Sequence, residues 1–444
     1  MRVVARVRDR FRSVRNPILR ACRDVAGASA LLVALSAGTA VTAATPGASP
    51  LAVPAASFEA TRAVPIAREV GAAVRSLPGT GDAFYAGVKT TPRQWTRMRD
   101  GQTIRAALAA HPEFTIYGNP AAITTAWSGG ARRGAKFWGM GGGHYDCSFN
   151  GVYEVDLETG KTSIPIAPSR ITPAQLTAIQ ESWKAKGGGW LGYSQMGIWP
   201  KIAPDDGLGP AIHTYQMAYV GADGSFALAG RRYDMTTGKT ATISANGSAN
   251  ANGAYWGKNY VGTNWAAGYW DVTVVDTTQW TSKVVYLNWP YRGGAGANFN
   301  FDARTYITVV GNTLHAIKTS VANPEIWKAP IVWKVALPMA ETNNTDLNQP
   351  TFTGSWSAED MDGLQATTQV LDPETDTLYI PAKDWSYFLT WEPLKNRLGK
   401  VVLTGGMPPS QTNAAYGRLQ WYVERGVITL INSIDEPVYA VSVK

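Results

Sequence analysis

Cysteine is scarce in this chain of 444 residues, which has only two. Cys22 lies in a basic N-terminal leader, so Cys147 is the one cysteine of the predicted mature chain. A single thiol excludes an intramolecular disulfide framework. Histidine is also scarce, with four residues, and only His144-x-Asp146 has ligand-like spacing, a pattern too common to indicate a metal. We therefore predict neither a metal nor another cofactor.

Charge is also sparse, at 17% of residues, and its positive excess lies mostly at the N-terminus. Eight arginines and two aspartates fall within the first 24 residues, so this leader holds +6 of the formal net charge of +8 and leaves +2 for the rest. A positive net charge that is confined to the leader does not indicate a nucleic-acid partner, and we predict none.

The leader has the anatomy of a secretory signal. A basic segment precedes an uncharged, moderately apolar stretch from Ala26 to Ala44, and Val41-Thr42-Ala43 suits cleavage after Ala43. The alternative is a start codon assigned too early, with the signal beginning further in. We predict a signal peptide over residues 1–43, a linker rich in Ala, Pro and Ser over 44–57, and a secreted or periplasmic protein. No later stretch reaches membrane length, so we predict no membrane span after signal removal.

Aromatic residues and glycine are abundant, with 17 Trp, 19 Tyr and 45 Gly, as repeated antiparallel sheets require. From Ala126 the chain repeats loosely. The clearest unit contains KFWGMGGGHYD and then GVYEVDLETGK, an alternating strand, a glycine run and a strand closed by a turn. The repeat units begin near Ala126, His213, Gly253, Asn298, Glu359 and Ala414. They predict a single all-β domain over residues 58–444, a kelch-like β-propeller of six or seven four-stranded blades.

The last unit has only three strands before the C-terminus, which predicts closure of the ring by an N-terminal strand. The phrase Gln94-Trp95-Thr96 is a candidate, and Ile104–Ala110 and Phe58–Arg75 are candidate helices. A helical insertion is predicted at about 172–186, because Thr172-Pro173-Ala174-Gln175 reads as a capping box with a first-turn proline.

Three phrases resemble the galactose oxidase/kelch β-propeller superfamily, particularly bacterial exported kelch-like proteins. They are GGGHYD at Gly141–Asp146, HTY at His213–Tyr215 and a terminal YGR strand at Tyr416–Arg418. The resemblance implies the propeller fold and leaves the activity open. The copper chemistry of galactose oxidase is a poor match, because it needs a tyrosine–cysteine crosslink and a late Tyr-His pair, whereas His315 stands in an ordinary strand, TLHAI.

Propeller polysaccharide lyases offer a second comparison, by analogy of fold and residue type. β-Elimination from a uronic-acid polymer needs a group that neutralises the carboxylate, a base and an acid. Histidine and tyrosine can transfer the protons, and arginine can hold the carboxylate. The predicted catalytic residues are His144, Tyr145, His213 and Tyr215, and the predicted substrate-binding residues are Arg231, Arg232, Arg418 and Trp256.

Period-2 alternation places His213 and Tyr215 on one face of a strand that His213 opens. The alternative for these polar residues is a structural role in hydrogen bonds between blades, and an arginine alone is more often an ion-pair partner. His111 and His315 are interpreted as structural.

Five tryptophans crowd between Gly253 and Pro290, at positions 256, 265, 270, 280 and 289. Sugar rings stack on the flat faces of tryptophan side chains. The alternative role for these tryptophans is to pack as wedges between neighbouring blades. The leading hypothesis is an exported propeller that acts on a polysaccharide or oligosaccharide, as a lyase or as a non-catalytic carbohydrate- or protein-binding module. A glycosidase is less favoured, because no spacing singles out a carboxylate pair. The sequence makes no prediction of oligomeric state.

Overall fold

The computed structural model describes residues 81–143, 146–175, 177–178, 181, 208, 211–228, 230–243, 252–263, 271–286, 304–319, 330–337, 347–348, 350–410 and 413–444. The predicted signal peptide and linker, the candidate helix Phe58–Arg75, and His144 with Tyr145 all lie outside these residues. None of the described helices is long and apolar enough to span a membrane.

Within the described residues the strands form six four-stranded antiparallel sheets, which are the six blades of a β-propeller. Blade 1 is β2 (Gly129–Arg133), β3 (Lys136–Met140), β4 (Val152–Asp156) and β5 (Thr162–Ile166); blade 2 is β6 (Tyr219–Val220), β7 (Phe226–Leu228), β8 (Arg231–Tyr233) and β9 (Thr240–Thr242). Blade 3 is β10 (Asn252–Trp256), β11 (Asn259–Thr263), β12 (Asp271–Asp276) and β13 (Thr281–Tyr286); blade 4 is β14 (Thr305–Val310), β15 (Thr313–Lys318), β16 (Ile331–Ala336) and β17 (Leu347–Asn348). Blade 5 is β18 (Val370–Asp372), β19 (Thr377–Pro381), β20 (Tyr387–Glu392) and β21 (Arg397–Val402); blade 6 is β22 (Leu419–Tyr422), β23 (Val427–Leu430) and β24 (Tyr439–Val441) with β1 (Thr96–Arg97). The six sheets confirm an all-β propeller and fix the number of blades at six.

Helices are few and short among the described residues: α1 (Gly81–Thr90), α2 (Ile104–Ala109), α3 (Ala122–Thr125) and α4 (Ala358–Asp362). At the start of the predicted insertion, Thr172 Oγ1 accepts a hydrogen bond from Gln175 N (3.2 Å) and Gln175 Oε1 accepts one from Thr172 N (2.8 Å). This is the reciprocal arrangement of a capping box. Residues 182–207 lie outside the described residues.

An aspartate turn repeats in the first three blades. Asp156 Oδ1 accepts hydrogen bonds from the amides two and three residues later, both at 2.9 Å, and Asp234 and Asp276 do the same. In such a turn the aspartate carboxylate accepts the hydrogen bonds of the turn amides and so stabilises the connection between two strands. The repeated aspartates at these positions are therefore structural.

The hydrophobic core lies between neighbouring blades. Strands of blades 1 and 2 share one cluster that includes Trp138 and Phe226, and blades 5 and 6 share another that includes Trp385 and Trp421. Trp280 is buried between blades 2 and 3, where it packs near Tyr219. For Trp280 the packing alternative is therefore correct; positions 265, 270 and 289 lie outside the described residues.

The first strand of each blade is the innermost one. Neighbouring first strands contact one another, β2 against β6, β10 against β14 and β18 against β22. All six blades contribute to one central cavity of about 290 Å³. The first strands thus build a channel, and its two ends are where a propeller presents functional side chains.

An N-terminal segment lies against the last blade. Thr96 pairs with Ala440 and Arg97 with Tyr439, so β1 forms the outer strand of blade 6. Arg425 of blade 6 contacts both Asp82 of α1 (2.5 Å) and Glu158 of blade 1 (2.8 Å, Nε to Oε1). These contacts attach the N-terminal segment to blade 6, and Arg425 also links blade 6 to blade 1.

His315 gives a pH prediction for the fold. The residue lies in β15, is 5% exposed, and its Nε2 has no hydrogen-bond partner among the described residues. Burial, helped by the charge of Lys334, lowers the pKa of His315 from 6.5 to about 4. The unfolded chain then binds the proton first, so the free energy of unfolding falls as pH drops from about 6.5 towards 4, by up to about 3 kcal/mol.

Urea unfolding at several pH values measures this dependence in the wild type and in His315→Leu. We expect the wild type to lose more stability than the variant over this pH window. Parallel pH profiles for the two proteins would contradict the assignment.

Candidate functional site

Three aromatic residues with left-handed backbone surround one end of the channel, which we call the mouth (residues 127–128, 213–216, 365–369 and 414–418). Trp127 has φ 51°, Tyr215 φ 42° and Tyr416 φ 47°, and each lies shortly before the first strand of its blade. Such φ values cost about 1–3 kcal/mol for bulky residues and cluster at functional sites. The strain marks the mouth as the candidate site.

Hydrogen bonds between blades hold these residues in place. The amides of Thr214 and Tyr215 both donate to Trp127 O, at 3.1 and 2.8 Å. Tyr416 N donates to Thr368 Oγ1 (2.8 Å), which links blade 6 to blade 5. The left-handed conformations are therefore imposed by tertiary contacts and are typical of a preorganised site.

His213 lies at the centre of the cluster and is 6% exposed. Its Nδ1 is 3.4 Å from the Tyr215 hydroxyl and its Nε2 is 4.0 Å from Asp146 Oδ2. The Trp127 ring lies against the imidazole, with centroids 4.4 Å apart. The contacts align a hydroxyl, an imidazole and a carboxylate, an arrangement suited to proton transfer and to binding of hydroxyl groups.

The predicted pairing of His213 with Tyr215 therefore exists, but the predicted reason was wrong. β6 begins only at Tyr219, so His213 and Tyr215 lie in the segment before the strand and not on one of its faces. The left-handed turn at Tyr215 brings the two side chains together. In the same way, Tyr416–Arg418 is a 3-10 turn before β22 and not a strand.

Asp146 is positioned by the glycine run. Gly142 (φ 128°) and Gly143 (φ 68°) turn the chain, and a Cβ on Gly143 would collide with the Asp146 carboxylate. Asn119 N donates to Asp146 O (2.7 Å), and Cys147 N donates to Gly142 O (2.8 Å). The Asp146 side chain is 51% exposed, and partial desolvation raises its pKa. The run therefore presents a carboxylate beside His213.

Tyr416 completes the cluster, since its ring meets Tyr215 edge-on with centroids 5.3 Å apart. Burial raises the pKa of Tyr416, so its hydroxyl stays protonated as a hydrogen-bond donor. Gln216 and Gly417, which directly follow Tyr215 and Tyr416, line the central cavity. The cluster thus stands where the cavity opens.

Arg418 lies at the mouth but points into the protein. It is 0% exposed, and its guanidinium donates to four backbone carbonyls, those of Ser128 (2.9 Å), Ile431 (2.7 Å), Asn432 (2.7 Å) and Ala414 (3.2 Å). Burial lowers its pKa to about 10, and the group remains charged at neutral pH. These contacts give Arg418 a structural role that joins blade 6 to blade 1.

Two of the other predicted binding residues, Arg232 and Trp256, make contacts away from His213. Arg231 is the first residue of β8, the third strand of blade 2. It stands just after the segment that joins β7 to β8, and the glycine run occupies the equivalent place after β3 in blade 1. Arg232 contacts Asp223 (2.6 Å) in the β6–β7 turn and lies over the Trp280 ring (5.2 Å). Trp256 ends β10 at the opposite end of the channel and donates to Asn312 Oδ1 (3.0 Å). The described contacts thus separate Arg232 and Trp256 from the mouth.

Sequence reasoning missed Trp127 as a site residue and did not assign Tyr416 or Asp146 a role in binding. The available signal was positional: Trp127 and Tyr416 each stand two or three residues before the first strand of a blade. Within the described part of the chain, no three His, Cys, Asp or Glu side chains group as metal ligands would.

Fold and site together define a six-bladed β-propeller with an aromatic, histidine-centred cluster at one channel mouth. No family model and no curated protein matches the chain. A solved structure of hydrazine synthase from Kuenenia stuttgartiensis is similar over 73% of this chain and 97% of its own, with 11% identity and a TM-score of 0.36. XC5397 from Xanthomonas campestris, a gluconolactonase, is similar over 79% of this chain and 95% of its own, with 8% identity and a TM-score of 0.38.

Proposed function

We propose that the protein is a carbohydrate-binding β-propeller whose binding site is the mouth cluster of Trp127, His213, Tyr215, Tyr416 and Asp146. The observation that carries the proposal is the set of partly exposed aromatic faces, Trp127 and Tyr215, around a histidine at the opening of a cavity of about 290 Å³. Flat aromatic rings stack on the apolar faces of sugars. The neighbouring polar groups supply the few directed hydrogen bonds that fix orientation in such a site.

A glycan array with the purified mature chain tests this proposal. We expect binding to a defined group of glycans, and we expect Trp127→Ala to weaken it about tenfold to thirtyfold, because the variant removes the larger stacking face. Circular dichroism checks that the variant remains folded. An array without any bound glycan, with the fold intact, would contradict the proposal.

A second candidate function is proton-transfer chemistry, and specifically the β-elimination of a uronic-acid polymer. The 3.4 Å contact between His213 Nδ1 and the Tyr215 hydroxyl favours it, because the two groups can serve as base and acid. The guanidinium that would neutralise the substrate carboxylate is less well supported. Arg418 is engaged with backbone carbonyls and Arg232 with Asp223.

Incubation with uronate polymers and ultraviolet detection of unsaturated ends separates the two functions. A lyase produces an absorbance rise that His213→Ala reduces by about 10²–10⁴-fold, the usual contribution of a positioned acid or base. A pure binding protein gives no rise, and its glycan binding survives with at most a moderate loss in His213→Ala.

We also propose that the chain is exported, of kelch type, and closed into a ring by β1. The basic leader supports export, and N-terminal sequencing of the mature protein would test it at Ala43. The glycine run and aspartate turns support the kelch assignment. The pairing of β1 with β24 supports closure.

A further inference from the structure

The charge of the mouth cluster bears on which saccharide it binds. The described charged groups in contact there are Asp146 and His213, with the carboxylate 51% exposed and the imidazole 7% exposed. Two of the predicted binding arginines are engaged elsewhere: the Arg418 guanidinium is enclosed by carbonyls, and Arg232 contacts Asp223. Among these described groups, the exposed one is the carboxylate of Asp146.

A carboxylate in this position weakens the binding of an anionic ligand. A uronate within a few ångströms of Asp146 meets like-charge repulsion, which is stronger beside a cavity than in bulk water. Removal of solvent from Asp146 already disfavours its charged form, as its raised pKa indicates. A positive ligand group would offset that cost, whereas a negative one would increase it.

The aromatic faces near the carboxylate also favour a positively charged ligand. A cation near the face of Trp or Tyr is attracted by the ring quadrupole, by about 0.5–2 kcal/mol depending on desolvation. Trp127 and Tyr215 are both partly exposed and both lie against His213, whose Nε2 is 4.0 Å from Asp146 Oδ2. A carboxylate with two aromatic rings is a suitable environment for an ammonium group attached to a sugar.

We propose that the mouth cluster recognises an amino sugar with a free ammonium group, such as a glucosamine unit of a deacetylated glycan. This inference rests on the proposed function, since it names the ligand class of the same site. Asp146 holds the ammonium group, and the partly exposed rings of Trp127 and Tyr215 stack against the sugar ring.

The test is isothermal titration at near-neutral pH with three trisaccharides of equal length, made of glucosamine, N-acetylglucosamine and galacturonate. We expect the glucosamine trimer to bind about tenfold or more tightly than the acetylated trimer, and the galacturonate trimer to bind most weakly. Asp146→Asn, which keeps the side-chain shape, should reduce the preference for glucosamine to about twofold. Asp100→Asn, a change at an exposed carboxylate before α2, should preserve the wild-type preference.

The outcomes distinguish this inference from the proposed function. Equal or tighter binding of the acetylated or the galacturonate trimer would overturn the inference and leave carbohydrate binding at the mouth intact. Preference for glucosamine that survives in Asp146→Asn would also overturn it. If no glycan binds, in this titration or on the array, both proposals fail.

Discussion

Arg418→Met is expected to lower the free energy of unfolding by about 3–5 kcal/mol. The substitution removes all donors from a fully buried guanidinium and leaves the carbonyls of Ser128, Ala414, Ile431 and Asn432 without these partners. A buried polar group that loses its hydrogen bond costs about 1–3 kcal/mol, and loss of one member of a buried charged network costs about 3–5 kcal/mol in total. Ser128 belongs to blade 1, so the loss also loosens the junction between the last blade and the first.

Urea unfolding measures this effect, with Arg397→Met as the control. Arg397 lies in β21 with a side chain that is 56% exposed, so its replacement should change stability by less than about 1 kcal/mol. Arg418→Lys keeps the charge but not the planar fork, and it should fall between the wild type and the methionine variant. If Arg418 were a substrate-binding residue, the methionine variant would lose ligand binding while its stability stayed near that of the wild type.

Trp95→Ala is expected to destabilise the protein by about 3–5 kcal/mol, the range for truncation of a buried tryptophan. Trp95 lies directly before β1, is 1% exposed, and packs edge-on against Trp385 with centroids 5.7 Å apart. Its Nε1 donates to Trp385 O (3.2 Å), and its amide donates to Thr404 O (3.3 Å). Trp95 thus anchors the N-terminal segment in the core between blades 5 and 6.

Thermal unfolding compares Trp95→Ala with Trp256→Ala, a tryptophan at the end of β10 that is only partly buried. We expect a large decrease in melting temperature for the first variant and a small one for the second. Similar, small decreases in both would show that the segment before β1 does not contribute to ring stability, and would contradict the proposal that β1 closes the ring.

The fold could be predicted from the sequence because its signals are local. Alternating strands, aspartate turns and glycine links recur along the chain, and the six predicted unit starts precede or begin the six blades. The strand pattern of the last unit also indicated that a strand from elsewhere was needed. Each of these signals lies within a single blade, which is why one sequence was sufficient.

The site was only partly predictable, because its geometry depends on contacts between blades. His213 and Tyr215 were identified by residue type, but their pairing comes from a left-handed turn that Trp127 O holds through two amides. Nothing in the local sequence reveals that contact. Likewise Arg418 could not be distinguished from a binding arginine, since its burial depends on Ser128, 290 residues away in the chain.

The most direct test of the account is a titration of one array-positive glycan into the wild type, Trp127→Ala and Trp256→Ala. The two tryptophans lie at opposite ends of the channel, so the pair separates a site at the mouth from general aromatic stacking. The account predicts that Trp127→Ala weakens binding about tenfold to thirtyfold, as expected for a central aromatic contact, and that Trp256→Ala changes it by less than about twofold. Wild-type affinity in Trp127→Ala together with lost affinity in Trp256→Ala would contradict the assignment of the binding site to the mouth.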